Sequence, residues 1–355
     1  MDAAETLSIR IMNREFNNRR KTLSSTADLS QEKRAGFLYA TPVKQELAAV
    51  ETMLADQMRS KVPYVDALVR YGCLLGGKRL RPILLLLVAK SVGEVTSQHI
   101  LLATVVEMIH TATLVHDDVL DAATMRRHCP TVNDRWDTEA SILLGDFLFT
   151  HAFYLASTLD STWACRLIGE TTNKLCEGEI RQKGNQGKYD ISEAEYLAVN
   201  EAKTAALCAC ACRLGMPELG GVSGLAEKME AFGRCLGQAF QIVDDLLDVV
   251  GVEAETGKSL GTDLQHQKAT LPLIHLWQQV GEGQRHELRQ IMQGPVENRV
   301  SQLGPLLAQH QSIEYARQKA LEFASQARQC LQGLPSNPAA EMLTRLPEFV
   351  LDRSR

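Results

Sequence analysis

Six aspartates stand in two matching groups. Leu114 to Asp121 reads LVHDDVLD and Gln241 to Asp248 reads QIVDDLLD, so Asp117, Asp118 and Asp121 recur in spacing as Asp244, Asp245 and Asp248. On a helix, residues four apart share a face. That stacks Asp117 over Asp121 and Asp244 over Asp248, and each like-charged pair costs roughly 0.2–0.5 kcal/mol in isolation. Both groups are embedded in apolar helical sequence, Ile100 to Val115 and Ala239 to Val250, where a carboxylate without a partner is far costlier than on a watered face. A cation must offset this charge. Mg²⁺ suits the donors: it takes oxygen ligands, keeps several waters and is commonly held by one or two carboxylates together with phosphate oxygens. The competing reading is a pair of acidic helix faces matched by Lys or Arg.

Phosphates need donors as well as metal. Gly76-Gly77-Lys78-Arg79-Leu80-Arg81-Pro82 stands at the entry to an apolar helix. Flexible backbone and helix N-terminal amides suit an anion there, and Lys78 and Arg81 add charge and bidentate donors. Arg126-Arg127 follows Asp121 by five residues, and Lys203-Thr204 and Lys258 lie in later stretches. Basic residues flanking acidic metal motifs describe a polyphosphate site.

The elements that must carry these groups are helices. Thr41-Pro42 supplies an N-cap and a proline at the first helical position, and from there apolar residues recur at spacings of three and four almost to the end. Ser192 with Glu195 has the form of a capping box, and Asn337-Pro338 starts the last helix. Strand-type alternation is absent. The fold class predicted is all-α, a single bundle of about ten or more helices over residues 39–355, preceded by a mobile extension over 1–38.

Composition bounds the function classes. The chain has 355 residues, 45% hydrophobic and 23% charged, which excludes disorder and fibre and leaves ample chain for a large core. A net charge of -5 gives no global basic field, so nucleic acid is not expected as a partner. Nine cysteines without a CxxC pair point to reduced thiols and a cytoplasmic setting. The start Met-Asp-Ala-Ala-Glu has no apolar segment behind it of the secretory kind. Ile100 to Val115 is broken by Glu107 and His110 and falls short of the roughly 18–20 residues of a membrane span, so a buried helix is predicted.

Taken in order, GGKRLRP, HDDVLDAATMRR, PTVN, GDFLF, EGEIRQ, KTA, FQIVDDLLD and TGKSLGTDL followed by KATLP resemble the trans-isoprenyl diphosphate synthases across residues 72 to 273. The medium- and long-chain all-trans members are the most similar. This resemblance implies an all-α isoprenoid synthase bundle around a central active-site cavity, a homodimer, and several Mg²⁺ ions per site. It also implies condensation of isopentenyl diphosphate with an allylic diphosphate to give a longer polyprenyl diphosphate. Asp117, Asp121, Asp244 and Lys203 would be the catalytic set. Asp118, Asp245 and Asp248 would complete the metal ligands. Lys78, Arg81, His99 and Arg127 would bind isopentenyl diphosphate. Arg126, Lys203, Thr204, Gln241 and Lys258 would hold the allylic diphosphate, with Thr204 and Gln241 turning oxygen dipoles toward a developing cation.

Two departures from the family pattern bear on loop geometry: His128-Cys129 after the paired arginines, and Gln267 in place of a common glycine. His110 and His116 are read as structural, and Cys208, Cys210 and Cys212 as packing, because steps of about 200° along a helix cannot converge on one metal. Ala112 and Thr113, a turn or so before Asp117, leave the floor of a product pocket without an aromatic plug, as do Val105, Met108 and Ile109 below. A product longer than twenty carbons, such as a quinone side chain, is expected, with transient membrane contact on its release. Three other readings stand beside this one. A class I terpene cyclase shares DDxxD, but its second motif differs in type from Asp244 to Asp248. A phosphohydrolase of the His-Asp type would leave the second motif unexplained. A non-catalytic subunit of a two-component synthase would carry damaged metal motifs.

Overall fold

The computed structural model describes residues 39–74, 77–127, 129–218, 224–250 and 262–352. The extension over 1–38, His128 and Lys258 therefore lie outside the described residues. One apolar helix, Ser97–Leu120, sets the frame, with every residue from Leu102 to Ile109 buried. It runs past both ends of the apolar stretch recognised in sequence. By length and composition it could cross a membrane, as could Thr138–Ser157, but 56% of its apolar window is covered by neighbouring helices, as in a core helix.

In chain order the helices are α1 (Lys44–Gln57), α2 (Pro63–Leu74), α3 (Leu80–Val92), α4 (Ser97–Leu120), α5 (Val132–Arg135), α6 (Thr138–Ser157), α7 (Trp163–Asn185), α8 (Glu193–Asn200), α9 (Ala206–Leu214) and α10 (Leu225–Val250). There follow α11 (Thr262–Gln265), α12 (Leu271–Gln279), α13 (Glu282–Gln293), α14 (Val296–Gln309), α15 (Ser312–Cys330) and α16 (Pro338–Asp352). Strand structure among the described residues is confined to β1 (Met125–Arg126) and β2 (Cys129–Pro130), an antiparallel ribbon that sets Arg126 opposite Cys129. The first aspartate helix, α4, packs on α6, α3 and α1, and the second, α10, on α15 and α9. Their buried faces share one large hydrophobic cluster, with a smaller one around Trp277 and Leu288 on α12 and α13.

Helix starts follow sequence with local exceptions. Asn337 caps α16 by accepting the amides of Ala339 and Ala340 at 3.1 and 3.0 Å. Ser192 accepts the Glu195 amide at 3.1 Å, but the Glu195 carboxylate turns to Arg181 and Asn185, so only half of the predicted capping box forms. At the N-terminal end Thr41 is not the cap: Thr41–Val43 is a 3-10 turn capped by Ala40 that leads into α1.

A π-turn over Glu201–Ala205 joins α8 to α9. Such turns widen a helix by one residue and often mark functional positions. It can lie against α10 because α10 presents glycine there. A Cβ on Gly237 would stand 2.6 Å from the Cα of Ala205, and one on Gly233 would stand 2.4 Å from the carbonyl oxygen of Cys208. Cys208, Cys210 and Cys212 are all buried near this seam, in keeping with a packing role.

Replacing Gly237 with Ala should therefore destabilise the fold by about 1–3 kcal/mol, because backbone and not a mobile side chain fills the space. Gly184→Ala on α7, with nothing within 4 Å, should instead stabilise by up to about 1 kcal/mol through helix propensity. Denaturant unfolding of both variants checks the opposite signs.

Candidate active site

The last turn of α4 carries the first motif. Asp121 caps the helix, its amide bonded to the Asp117 carbonyl at 2.8 Å, so the two side chains leave the same turn. Asp118 points elsewhere. It is 1% exposed, and its Oδ1 accepts from Arg126 Nε at 2.7 Å while Oδ2 finds no partner. Burial raises the pKa of Asp118 despite the arginine. Asp117 stays partly open and faces Lys203 Nζ at 3.8 Å, and the same ammonium lies 2.8 Å from Glu179 on α7. Burial, followed by the charge of Asp117, raises the pKa of the Glu179 carboxyl, while Lys203 and Lys268 oppose the rise.

Across from this turn, α10 carries the second motif. Asp245 is buried and accepts hydrogen bonds from the Tyr196 hydroxyl at 2.6 Å and from Gln241 Nε2 at 2.8 Å. Gln241 Oε1 in turn accepts from Thr204 on the π-turn at 2.8 Å. Burial and then the charge of Asp263 push Asp245 up to about 8. Asp248 accepts the amide of Asp263 at 2.9 Å, which ties the start of α11 to the motif. Lys268 lies 3.3 Å from Asp263. Burial works against its charge, yet Asp263, and after it Asp121 and Asp245, raise its pKa above the ordinary lysine value. Lys203 and Lys268 thus stand between the two motifs, beside a cavity of about 80 Å³ lined in part by Tyr196, Gln241, Asp245 and Asp263.

The donor set is oxygen throughout and fits a hard divalent cation. No three His, Cys, Asp or Glu side chains among the described residues converge closely enough to hold an ion alone. A metal here would complete its shell with phosphate oxygens, which is the habit of Mg²⁺.

A second wall is basic. Arg79 caps α3 in the left-handed conformation, φ 52°, and its guanidinium reaches Glu107 on α4 at 2.7 Å and Glu51 on α1 at 2.6 Å. Lys78 and Arg81 flank it, and the Arg81 Nε is buried without a hydrogen-bond partner. Arg127, also left-handed at φ 51°, lies against Gly77, where a Cβ would meet its Nη1 at 3.1 Å. Burial lowers the pKa of Arg127, and Arg126 adds to the fall. His110 belongs to this cluster: burial, then Arg81, Arg127, Arg126 and Arg79, hold its imidazole well below the usual histidine range.

His99 does not join the cluster as expected. It is the third residue of α4, and its Nδ1 accepts the Thr96 amide at 3.0 Å in a capping box. Eight residues of helix, about 12 Å of rise, separate it from Glu107. The histidine beside the arginines is His110, which sequence reasoning left as structural. Arg126 and Asp118 are committed to each other, and Asp245 is enclosed by Tyr196 and Gln241. Asp117, Asp121, Lys203, Thr204 and Gln241 come together as expected, whereas Lys258 lies outside the described residues. Glu179, Asp263 and Lys268 were legible as parts of EGEIRQ, TGKSLGTDL and KATLP, and Glu107 as the lone acid in an apolar run. Nothing in the sequence marked Tyr196.

With this geometry in place, comparison with known proteins places the chain in context. A family model described as Polyprenyl synthetase matches residues 62–306. An octaprenyl diphosphate synthase of Haemophilus influenzae is 36% identical over 310 residues, covering 87% of this chain and 94% of the relative. The crystal structure of a decaprenyl diphosphate synthase from Rhodobacter capsulatus superimposes with a TM-score of 0.83 at 34% identity, over 90% of this chain and 99% of that one. A polyprenyl synthase from Caulobacter crescentus, complexed with calcium and isoprenyl diphosphate, also scores 0.83 at 32% identity, over 89% and 97%.

The half-buried, neutral His110 has a consequence for stability. Unfolding lets His110 take up a proton near pH 6.5 that the folded state refuses, so its contribution is retained above that pH and lost as pH falls below it. His99, His151 and His275 shift in the same direction. Asp245, protonated in the fold up to about 8, works in the opposite sense over this range, so the difference is the test: the melting temperature of His110→Asn relative to that of the unchanged protein should rise as pH falls from 7.5 to 5.5, as thermal unfolding of both will show.

Proposed function

The chain belongs to the polyprenyl synthetase family, and from that premise we propose that it condenses isopentenyl diphosphate with an allylic diphosphate, head to tail and trans, to build a polyprenyl diphosphate longer than twenty carbons. One observation carries the reading. The two carboxylate motifs face each other across Lys203 and Lys268, while a separate basic wall of Lys78, Arg81, His110 and Arg127 stands about two turns before Asp117 along α4. Such an arrangement serves two diphosphates. A terpene cyclase needs only one, and a regulatory subunit has no use for six intact aspartates.

Asp117, Asp121 and Asp244 would hold Mg²⁺, with Asp248 behind them, and bound metal would supply Lewis-acid stabilisation of the departing diphosphate. Lys203 and Lys268 add fixed positive charge where the allylic C–O bond breaks and the leaving group gathers charge. Thr204, held to Gln241, sets polar oxygens beside the carbon left electron-poor. The alkene of isopentenyl diphosphate attacks that carbon, a C–C bond forms, and a proton passes to the departed diphosphate. Buried apolar helix around the site keeps water from competing. Asp118 and Asp245, pinned by Arg126 and by Tyr196 with Gln241, shape the motif turns from behind.

The proposal extends to a cytoplasmic homodimer that touches a membrane transiently to release its apolar product. Supporting it, the cysteines among the described residues that can be assigned are thiols, and α6 exposes Ile142, Leu143 and Tyr154 on its outer side as an apolar surface suited to a second copy. For product length, Ala112, Met108, Ile109 and Val105 are buried along α4 and none is aromatic.

Purified protein incubated with Mg²⁺, labelled isopentenyl diphosphate and ten-, fifteen- or twenty-carbon allylic primers should yield extended prenols, the main species exceeding twenty carbons. A cyclic hydrocarbon from primer alone would favour the cyclase, and no extension with a folded protein the subunit. Ala112→Phe, or Thr113→Phe at the half-buried neighbour, should shorten the product by one or more isoprene units; an unchanged distribution would remove the pocket-floor argument.

A further inference from the structure

We propose that Glu107 is a positioning residue for recognition of isopentenyl diphosphate, acting through Arg79 and Arg127 to fix the turn that presents Lys78 and Arg81. The inference rests on the reading of that basic wall as the isopentenyl diphosphate site. Glu107 is the lone acid of α4 before Asp117, sits between Val106 and Met108 in the fully buried run, and is itself 3% exposed. A leucine would serve the core better there, because a buried ion pair seldom stabilises more than packed apolar side chains. Its presence calls for another role, and its contacts supply one.

Arg79 is tied at both ends. Its carbonyl accepts the Ile83 amide at 3.0 Å and so opens α3, while its guanidinium is gripped by Glu107 from one helix and Glu51 from another. A bulky residue at φ 52° needs such holding. With Arg79 held inward, the turn fixes where its neighbours Lys78 and Arg81 stand, and the Arg81 Nε is buried with no protein acceptor. Glu107 reaches the loop backbone too: a Cβ on Gly77 would lie 3.5 Å from its Oε1 and 3.1 Å from Arg127 Nη1. The second oxygen, Oε2, is buried with no hydrogen-bond partner, and the carboxylate supports the charge on Arg127. One buried acid thereby joins the turn before α3 to the turn after α4. Charges agree with this division. Glu107 and Glu51 answer Arg79, Glu107 supports the charge on Arg127, Asp118 answers Arg126, and the buried Nε of Arg81 has no protein acceptor.

The test uses the full-length protein and Glu107→Gln, which keeps the volume and removes the charge. The KM for isopentenyl diphosphate, and its dissociation constant by calorimetry, should rise on the order of tenfold, with kcat and the KM for the allylic primer within about twofold. Arg79→Gln alone should lower the melting temperature by leaving the Glu107 carboxylate bare. The double variant Arg79→Gln/Glu107→Gln should recover the melting temperature but not the affinity for isopentenyl diphosphate. Unchanged affinity in Glu107→Gln, recovery of affinity with stability in the double variant, or equal losses for both substrates would each reduce Glu107 to a purely structural role and overturn the inference. Wild-type protein that binds isopentenyl diphosphate without condensing it would overturn the proposed function while the calorimetric comparison still judges Glu107. Absence of binding to the wild type would overturn both.

Discussion

Carboxylates repel one another, and this constraint shapes the fold around α4 and α10. Two unit charges 4 Å apart at an effective dielectric near 20 interact by about 4 kcal/mol, so two acidic motifs cannot face each other across a poorly watered cleft unless cations stand between. In this structure Lys203 and Lys268 occupy that place, Lys203 against Asp117 and Glu179, and Lys268 against Asp263. Lys203 reaches there from a π-turn, whose extra backbone residue sets Lys203 and Thr204 side by side toward the cleft. The turn and the start of α9 can lie close to α10 because Gly237 and Gly233, in that order, let backbone meet backbone. Electrostatics in the cleft and small-residue packing behind it are thus one requirement met at two levels.

The same reasoning separates the cations into two kinds. Arg79 and Arg126 are engaged by Glu51, Glu107 and Asp118 through contacts of 2.6 to 2.7 Å, and they hold turns in place. Arg81 presents a buried donor with no protein acceptor, and His110 is kept neutral by desolvation and then by the arginines around it. A donor left unmatched in the interior is costly, of order 1–3 kcal/mol, and an incoming phosphate oxygen would relieve that cost. Residue type alone does not distinguish the two kinds of arginine. The position of the opposing carboxylate does.

This limit also explains how far the sequence could be read. Periodicity and caps gave the helices, because local hydrogen bonding and burial fix them; Asn337 caps its helix as its sequence context predicts. The motif aspartates and Lys203 were legible because their spacing is itself the signal. Which of His99 and His110 lies beside the arginines could not be read, since both stand on one apolar helix and only the arrival of α3 beside Glu107 decides which meets them. Tyr196 is 49 positions from Asp245 and gave no local sign of the 2.6 Å bond between them. The π-turn was invisible for a related reason: its residues, Glu201 to Ala205, have ordinary helical propensities, and tertiary packing imposes the extra residue.

Backbone strain follows the same map. Among the described residues, the non-glycine positions with positive φ are Arg79, Ala122, Arg127, Gln267 and Gln311. Four of these adjoin the site: Arg79 lies between Lys78 and Arg81, Ala122 follows Asp121, Arg127 sits against Gly77, and Gln267 precedes Lys268. Left-handed backbone costs a residue with a Cβ about 1–2 kcal/mol, so glycine would be the cheaper choice at each. Gln267 occupies a place where the family resemblance leads one to expect that glycine. It keeps the glycine-like conformation, its amide bonded to Leu264 and its carbonyl accepting from Gly187 at 3.0 Å. Glycine would remove the strain, but it would also widen the range of conformations open to the turn that aims Lys268. A residue with a Cβ narrows that range, because fewer backbone conformations are open to it than to glycine. Strain collects where the direction of the next side chain must be fixed before a diphosphate arrives, and the surrounding contacts hold it there.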